Sequence, residues 1–292
     1  MDHLNVKVRG HIRESVESRI QSLREKKWVG YPAATKLLSK MDDLLNHPQT
    51  HRMPNLLIKA DTNNGKSFVL KKFCKLNQPY EDRKTELLVI PVVKIEIPAD
   101  PSTDTIYSEI LQEMEIPYRA TFKKEIKANM VFNAFNRFRV RMLLIDELHV
   151  LMNTTRLKKA QMLDTLKYIA NKTGVVLVGA GTLEAHTAIV SDPQLANRFE
   201  PYLLPQWKLN ADFRRLLATF EKVTPLAEPS NMQSQELATE IYSMSNGWIG
   251  EVDEVIKRAA IHAMEVGHEK ITIDTLRAID WISPEKRRYT GR

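Results

Sequence analysis

The chain has 292 residues, 43% of them hydrophobic and 27% charged, enough for one α/β domain with a smaller one appended. A single cysteine, Cys74, excludes an internal disulfide and a multi-cysteine zinc site. No uncharged apolar run approaches the roughly 20 residues that span a bilayer, and the first residues lack the apolar core of a secretory leader, so a cytoplasmic protein without membrane contact is expected. The formal net charge of +7 is unevenly placed. Seven Lys or Arg fall between positions 119 and 141 against the single acid Glu125. Smaller clusters lie at Arg156, Lys158 and Lys159 and in the tail at Lys286, Arg287, Arg288 and Arg292. Two readings stand for this charge, a polyanionic partner or a solvated basic face.

Residues 12–24 and 33–45 carry apolar side chains at helical spacing, separated by the break Gly30-Tyr31-Pro32. This N-terminal helical extension is expected to end near Pro54. Residues 55–60 then read as a strand and 66–76 as a helix. A second strand is expected over 87–97, with Pro91 at an edge or bulge. Helices follow at 104–114 and 125–138, strands at 142–145 and 175–178 with a helix near 158–170 between them, and a short fifth strand at Leu203-Leu204. Strands that are nearly continuously apolar and alternate with helices imply a parallel five-stranded sheet covered on both faces. Beyond Trp207 only helices are predicted, at 212–220, 233–244, 250–266 and 273–279. The expected division is therefore 1–54, an α/β core at 55–207, and a helical lid with basic tail at 208–292.

The sharpest motif is Ala60-Asp61-Thr62-Asn63-Asn64-Gly65-Lys66-Ser67, placed between a predicted strand and a predicted helix as a phosphate-binding loop requires. Amides from Asp61 to Phe68 converge there on an anion, and the helix dipole adds favourable potential. Lys66 is expected to reach the β- and γ-phosphates of ATP, and the Ser67 hydroxyl to ligate Mg2+. The motif departs from its usual form at the first position, where Ala60 replaces glycine. The second motif is Arg141-Met142-Leu143-Leu144-Ile145-Asp146-Glu147, four apolar residues ending in two acids at the carboxyl end of a buried strand. Asp146 is expected to hold Mg2+, and Glu147 to orient and deprotonate the attacking water. Taken alone, either motif also reads as an ordinary loop; in this order and spacing they describe a P-loop ATPase.

With Arg52-Met53-Pro54-Asn55-Leu56-Leu57-Ile58 running into Asn63-Asn64-Gly65-Lys66-Ser67, and with Gly30-Tyr31-Pro32 and Gly179-Ala180-Gly181-Thr182, the chain resembles the TniB/TnsC group of AAA+ transposition regulators. The likeness runs from about Trp28 to Pro205. It implies an AAA+ fold in a bacterial cytoplasm and ATP-dependent homo-oligomers, rings or filaments, on double-stranded DNA. These would couple a target-selection protein to a transposase. It places Thr182 where a sensor residue touches the γ-phosphate, with a plain strand-end threonine as the equal alternative. Arg198 takes the place of an arginine finger acting on a neighbour's ATP, against the alternative of a surface arginine. Tyr31 either lines the adenine pocket or packs in the core. At Gly247-Trp248-Ile249-Gly250-Glu251 a glutamate stands where the lid arginine of such ATPases is expected, which implies slow hydrolysis without partners.

Thr121, Lys123, Lys124 and Lys127 lie in the segment that lines the pore of such rings, and are expected to contact DNA phosphates without reading sequence. Arg137, Arg139 and Arg141 fit equally well against the sheet edge. A runner-up function is a P-loop switch that binds ATP and a protein partner but no DNA, and a third is a clamp- or helicase-loader ATPase. The eight histidines show no ligand spacing, His149 reads as a loop residue, and the four tryptophans read as packing anchors.

Overall fold

The computed structural model describes residues 3–25 and 28–289. The chain forms two compact units, one from Met1–Tyr31 with Pro205–Arg292 and one from Pro32–Leu204. The predicted N-terminal extension is thus divided at the Gly30-Tyr31-Pro32 break. Helix α1 (Val6–Arg9) leads through a 3-10 turn to α2 (Val16–Arg24), whose first turn is capped by the Ser15 hydroxyl accepting from the Ser18 N–H. Both belong to the helical unit, where Leu23 and Val29 enter the core. Helix α3 (Pro32–Leu45) belongs to the other unit. It starts on a proline, whose missing N–H costs nothing at that position, and buries Ala34, Leu37, Met41 and Leu45.

The α/β unit continues through β1 (Asn55–Lys59), α4 (Lys66–Leu76), β2 (Tyr80–Asp82), β3 (Leu87–Val89), β4 (Val92–Glu96), α5 (Thr103–Glu113) and α6 (Lys124–Arg137). Then come β5 (Met142–Asp146), a 3-10 turn (Leu148–Asn153), α7 (Arg156–Thr173), β6 (Val176–Gly181), α8 (Leu183–Val190), α9 (Pro193–Ala196) and β7 (Phe199–Leu203). Five strands pair in parallel in the order β4-β5-β6-β1-β7. Their apolar runs are continuous because helices cover both faces: Leu56, Leu57, Ile58, Met142 to Ile145 and Val176 to Val178 are at most 1% exposed.

Besides an unpredicted β2 and a β6 that runs on to Gly181 past the predicted 178, two strands differ from expectation. The predicted strand at 87–97 is two elements, because the Ile90 N–H turns away to the Phe138 carbonyl and Pro91 interrupts the ladder. Only β4 enters the main sheet; β3 pairs antiparallel with β2 across a turn in which the Asp82 carboxylate accepts from the Lys84 N–H. The last strand starts four residues earlier than predicted, at Phe199, and tolerates Pro201 because β7 is an edge with β1 as its one neighbour.

The helical unit adds α10 (Ala211–Glu221), α11 (Gln235–Ser245), α12 (Ile249–Glu265), α13 (Ile273–Ala278) and α14 (Pro284–Tyr289). Asn210 caps α10, and Thr272 with Thr275 forms a reciprocal cap on α13. Lys286, Arg287 and Arg288 of the basic tail thus fall in α14, and Arg292 lies outside the described residues. Arg287 of α14 donates to both carboxylate oxygens of Glu251 at 3.2 and 2.5 Å and lies 4.8 Å over the Trp281 ring. That pairing explains how Glu251 is only 6% exposed. Lys257 and Arg258 are engaged along their own helix with Asp253 and Glu254.

Arg19, 4% exposed, ties α2 to this unit: its guanidinium contacts both Glu269 oxygens at 2.8 and 2.5 Å and donates to the Pro225 carbonyl. Removing one partner of such a pair strands the other, so Arg19→Met is expected to lower stability by about 3 kcal/mol in urea denaturation at neutral pH. Hydrogen bonding from Arg19 holds the Glu269 carboxyl below its ordinary value of 4.5. The stabilisation is therefore present above that value and is lost as the pH falls through the depressed one. The deficit of the variant should shrink in acid.

Candidate functional site

The loop between β1 and α4 leaves the carboxyl end of an inner strand of the sheet, the edge at which open α/β sheets present ligand sites. Its turn needs left-handed backbone at two places, Asn63 with φ 61° and Gly65 with φ 86°. Asparagine tolerates that region and glycine enters it freely. Ala60 stands outside these positive-φ positions and is fully buried at the end of β1, so the alanine there costs the loop no strain. The Asn64 side chain, 2% exposed, donates from Nδ2 to the Leu204 carbonyl at 2.9 Å and ties the loop to the strand beside it. Thr62 and Asn63 are exposed, while Asp61, Ser67 and Phe68 are half-buried. Gly65 at the N-cap brings no side chain to the start of α4, and a helix start is an arrangement that receives an anion.

Lys66 is 7% exposed and donates from Nζ to the carbonyls of Ala60 and Asp61, both at 2.7 Å. Burial pulls its pKa below the ordinary lysine value, against the opposing influence of Glu147, Asp146 and Asp61. The sheet order sets β5, which ends on Asp146 with Glu147 next, one strand away from β1 and its loop. Asp146 is 1% exposed: Oδ1 accepts from the Glu147 N–H at 3.0 Å, and Oδ2 is buried with no hydrogen-bond partner. Glu147 follows in left-handed backbone at φ 58°, an uncommon conformation for glutamate that turns the chain sharply at the strand end. Its carboxylate stays 41% exposed, with His149 Nδ1 3.3 Å away.

Thr182 stands just before α8, and its Oγ1 is buried without a hydrogen-bond partner. The chain reaches that point through Gly181, where a Cβ would sit 2.5 Å from the Ala185 Cβ and 3.2 Å from the His149 backbone nitrogen. Glycine is what lets β6, α8 and the 3-10 turn after Glu147 meet. An orphaned carboxylate oxygen on Asp146, with the Ser67 hydroxyl on the neighbouring helix turn, is a hard-oxygen donor set that suits Mg2+. Among the described residues no cluster of three His, Cys, Asp or Glu forms a protein-only cage. Mg2+ completes its shell with substrate phosphates and water rather than with such a cage.

Other predicted residues lie elsewhere. Arg198 immediately precedes β7, which begins opposite Asn55 and ends opposite Lys59. It thus sits at the amino edge of the sheet, roughly 15 Å of strand away from its own loop, where it donates to Asn171 at 2.8 Å. Tyr31 packs edge-on against Trp207 in the helical unit, ring centres 5.3 Å apart. Arg139 pairs with Asp82 and Arg141 donates to the His47 carbonyl, so both are folded against the sheet unit.

The DNA-contact expectation needs one correction. Lys127 is 2% exposed, donates to Asp104 and Ser108 at 2.8 and 3.1 Å, and lies 5.2 Å from the centre of the Tyr118 ring. It is an internal strut joining α5 and α6, unable to reach a phosphate. The same pairing sets the starts of α5 and α6 side by side. Because α5 leaves the carboxyl end of β4, exposed Thr121, Lys123 and Lys124 emerge on the edge that carries the phosphate loop. Lys94, which the sequence reading passed over, stands 3.7 Å from Asp146 Oδ2. Its alternation with Glu96 on a strand next to the acid motif was the available signal.

The sheet order, the loop after β1, the acids after β5 and the C-terminal helices together define an AAA+ P-loop NTPase fold. Residues 19–209 match the family described as Bacterial TniB protein, and the chain belongs to that family. No curated protein matches the chain. Among solved structures it is similar to the Aeropyrum pernix ORC2 protein (ADPNP-ADP complexes), with 16% identity and TM-score 0.67 over 93% of this chain and 74% of that one. It is also similar to the Aeropyrum pernix ORC1 protein in complex with DNA, with 14% identity and TM-score 0.62 over 93% and 69%. The Thermotoga maritima RuvB Holliday junction branch migration motor gives 14% and 0.53 over 88% and 72%. At these identities the likeness is one of fold.

Proposed function

We propose that the protein is a cytoplasmic ATPase that oligomerises on duplex DNA under ATP control and links a target-selection protein to a transposase. The observation that carries the nucleotide part is the pairing of two buried polar groups at the carboxyl edge of the sheet: Lys66, 7% exposed, in the loop after β1, and Asp146, 1% exposed, at the end of β5 with no hydrogen-bond partner on Oδ2. The first-turn amides of α4 and Lys66 would bind the β- and γ-phosphates, with Ser67 and Asp146 holding the metal. Mg2+, when bound, supplies neutralisation of phosphate charge. Glu147 orients the attacking water and accepts its proton, and Thr182 Oγ1 fixes that water or the γ-phosphate. Arg198 lies too far from its own loop to serve it, which favours a role on the ATP of an adjacent copy.

Family membership supports the transposition role, and the fold shared with a protein solved in complex with DNA supports DNA association. Thr121, Lys123 and Lys124 are the residues proposed to contact phosphates, without sequence preference. The test is duplex binding with a non-hydrolysable ATP analogue. Wild type is expected to bind plasmid DNA at low salt only when the analogue is present, and Lys66→Ala is expected not to bind. Lys123→Ala with Lys124→Ala should lower affinity at least about tenfold and flatten its salt dependence by up to about two charges. Nucleotide binding without any DNA binding would point instead to the switch that acts on a protein partner alone.

A further inference from the structure

Asp146 has a second neighbour that the nucleotide chemistry does not use. Lys94 and Glu96 are two residues apart on β4 and so project from one face, and Glu96 stands in register with Asp146 on β5. Lys94 Nζ donates to Glu96 Oε1 at 2.9 Å and lies 3.7 Å from Asp146 Oδ2, within ion-pair range but too far for a hydrogen bond. The lysine side chain is 11% exposed and the Glu96 side chain 60%. Since Oδ1 of Asp146 is committed to the Glu147 N–H, Oδ2 is the oxygen open to a metal, and Lys94 is the cation in front of it.

Two cations facing one buried carboxylate oxygen repel strongly where water cannot screen them. A lysine has a flexible stem and can withdraw, and Glu96 offers it a carboxylate on the solvent side. We infer that Lys94 is a resident counter-ion of Asp146 that sets how much Mg2+ the site requires, with Glu96 as the seat onto which the lysine retreats. This rests on the nucleotide site proposed above and adds a regulating pair to it. Without nucleotide and metal, Lys94 neutralises an acid that would otherwise be buried unpaired. With both bound, the lysine turns wholly to Glu96.

The two residues should therefore act in opposite directions. Mn2+ serves as the probe, its binding followed by electron paramagnetic resonance in the presence of a saturating non-hydrolysable ATP analogue. Lys94→Met is expected to lower the Mn2+ concentration at half-saturation about tenfold, because the competing charge is gone. Glu96→Gln, a change on an exposed side chain, is expected to raise it about threefold by removing the carboxylate that Lys94 hydrogen-bonds and so favouring its stay beside Asp146. Coincident curves for the three proteins, or weaker Mn2+ binding by Lys94→Met, would overturn the inference while leaving the nucleotide site intact. Failure of the wild-type protein to bind the analogue would overturn the nucleotide site itself and this pair with it.

Discussion

Glu147→Gln should leave ATP and DNA binding close to wild type while lowering phosphate release by roughly 10²–10⁴-fold, the range set by a general base in proton transfer. Glutamine keeps the shape of the side chain and can still accept a hydrogen bond from water, but it cannot take the proton. The substitution disturbs little else. The Glu147 carboxylate is 41% exposed, and the hydrogen bond that shapes the turn comes from its backbone N–H to Asp146. The left-handed backbone at φ 58° is imposed on either residue alike. If ATP-bound copies are the ones that hold DNA, the variant should form oligomers on plasmid that persist after excess competitor is added. Single-turnover phosphate release and the lifetime of the DNA-bound species check this together. Hydrolysis at the wild-type rate would remove Glu147 from its assigned role.

Arg198→Ala should cost about 10³-fold or more in hydrolysis under assembly conditions, the scale of an arginine supplied to a phosphoryl-transfer site. Its position at the amino edge of the sheet makes a specific demand: the defect must be repairable by another copy. A subunit carrying Arg198→Ala has an intact Glu147, and a Glu147→Gln subunit has an intact Arg198. In a random equal mixture one interface in four joins the competent halves, so the mixture should recover about a quarter of wild-type activity although each variant alone is inactive. A mixture no more active than its components would mean that Arg198 serves the fold, through its bond to Asn171, rather than the neighbour's nucleotide.

The apolar runs predicted at 55–60, 142–145 and 175–178 were legible as buried strands, because burial on both faces leaves an uninterrupted apolar signature, whereas the continuation of β6 through Gly179-Ala180-Gly181 carries no such signature. The loop Asn63-Asn64-Gly65-Lys66-Ser67 was legible for a similar reason. Its chemistry lies in consecutive backbone amides and one glycine, all within a single turn of chain. The break at Gly30-Tyr31-Pro32 was also visible, but not its consequence, since nothing local says that residues before it pack with residues beyond 205.

Charge was read least well. Lys127 belongs to a run of lysines that looks like a solvated face, yet Asp104, 23 positions earlier, draws it inside. Arg287 reads in sequence as one of a cluster of tail cations, and Glu251, 36 positions away, gives it a partner. Lys94 gained its meaning only when β4 and β5 aligned Glu96 with Asp146. By itself the sequence determined the buried strands β1 and β5 and the start of β6, where a Gly-Lys-Ser turn follows β1 and which acids end β5, because each depends on a period or a spacing of a few residues. Tertiary structure alone decided which cations are internal, which stand beside the acid that ends β5 and which stay exposed. A charge takes its role from the opposite charge that folding brings within a few ångströms, and chain order does not record that distance.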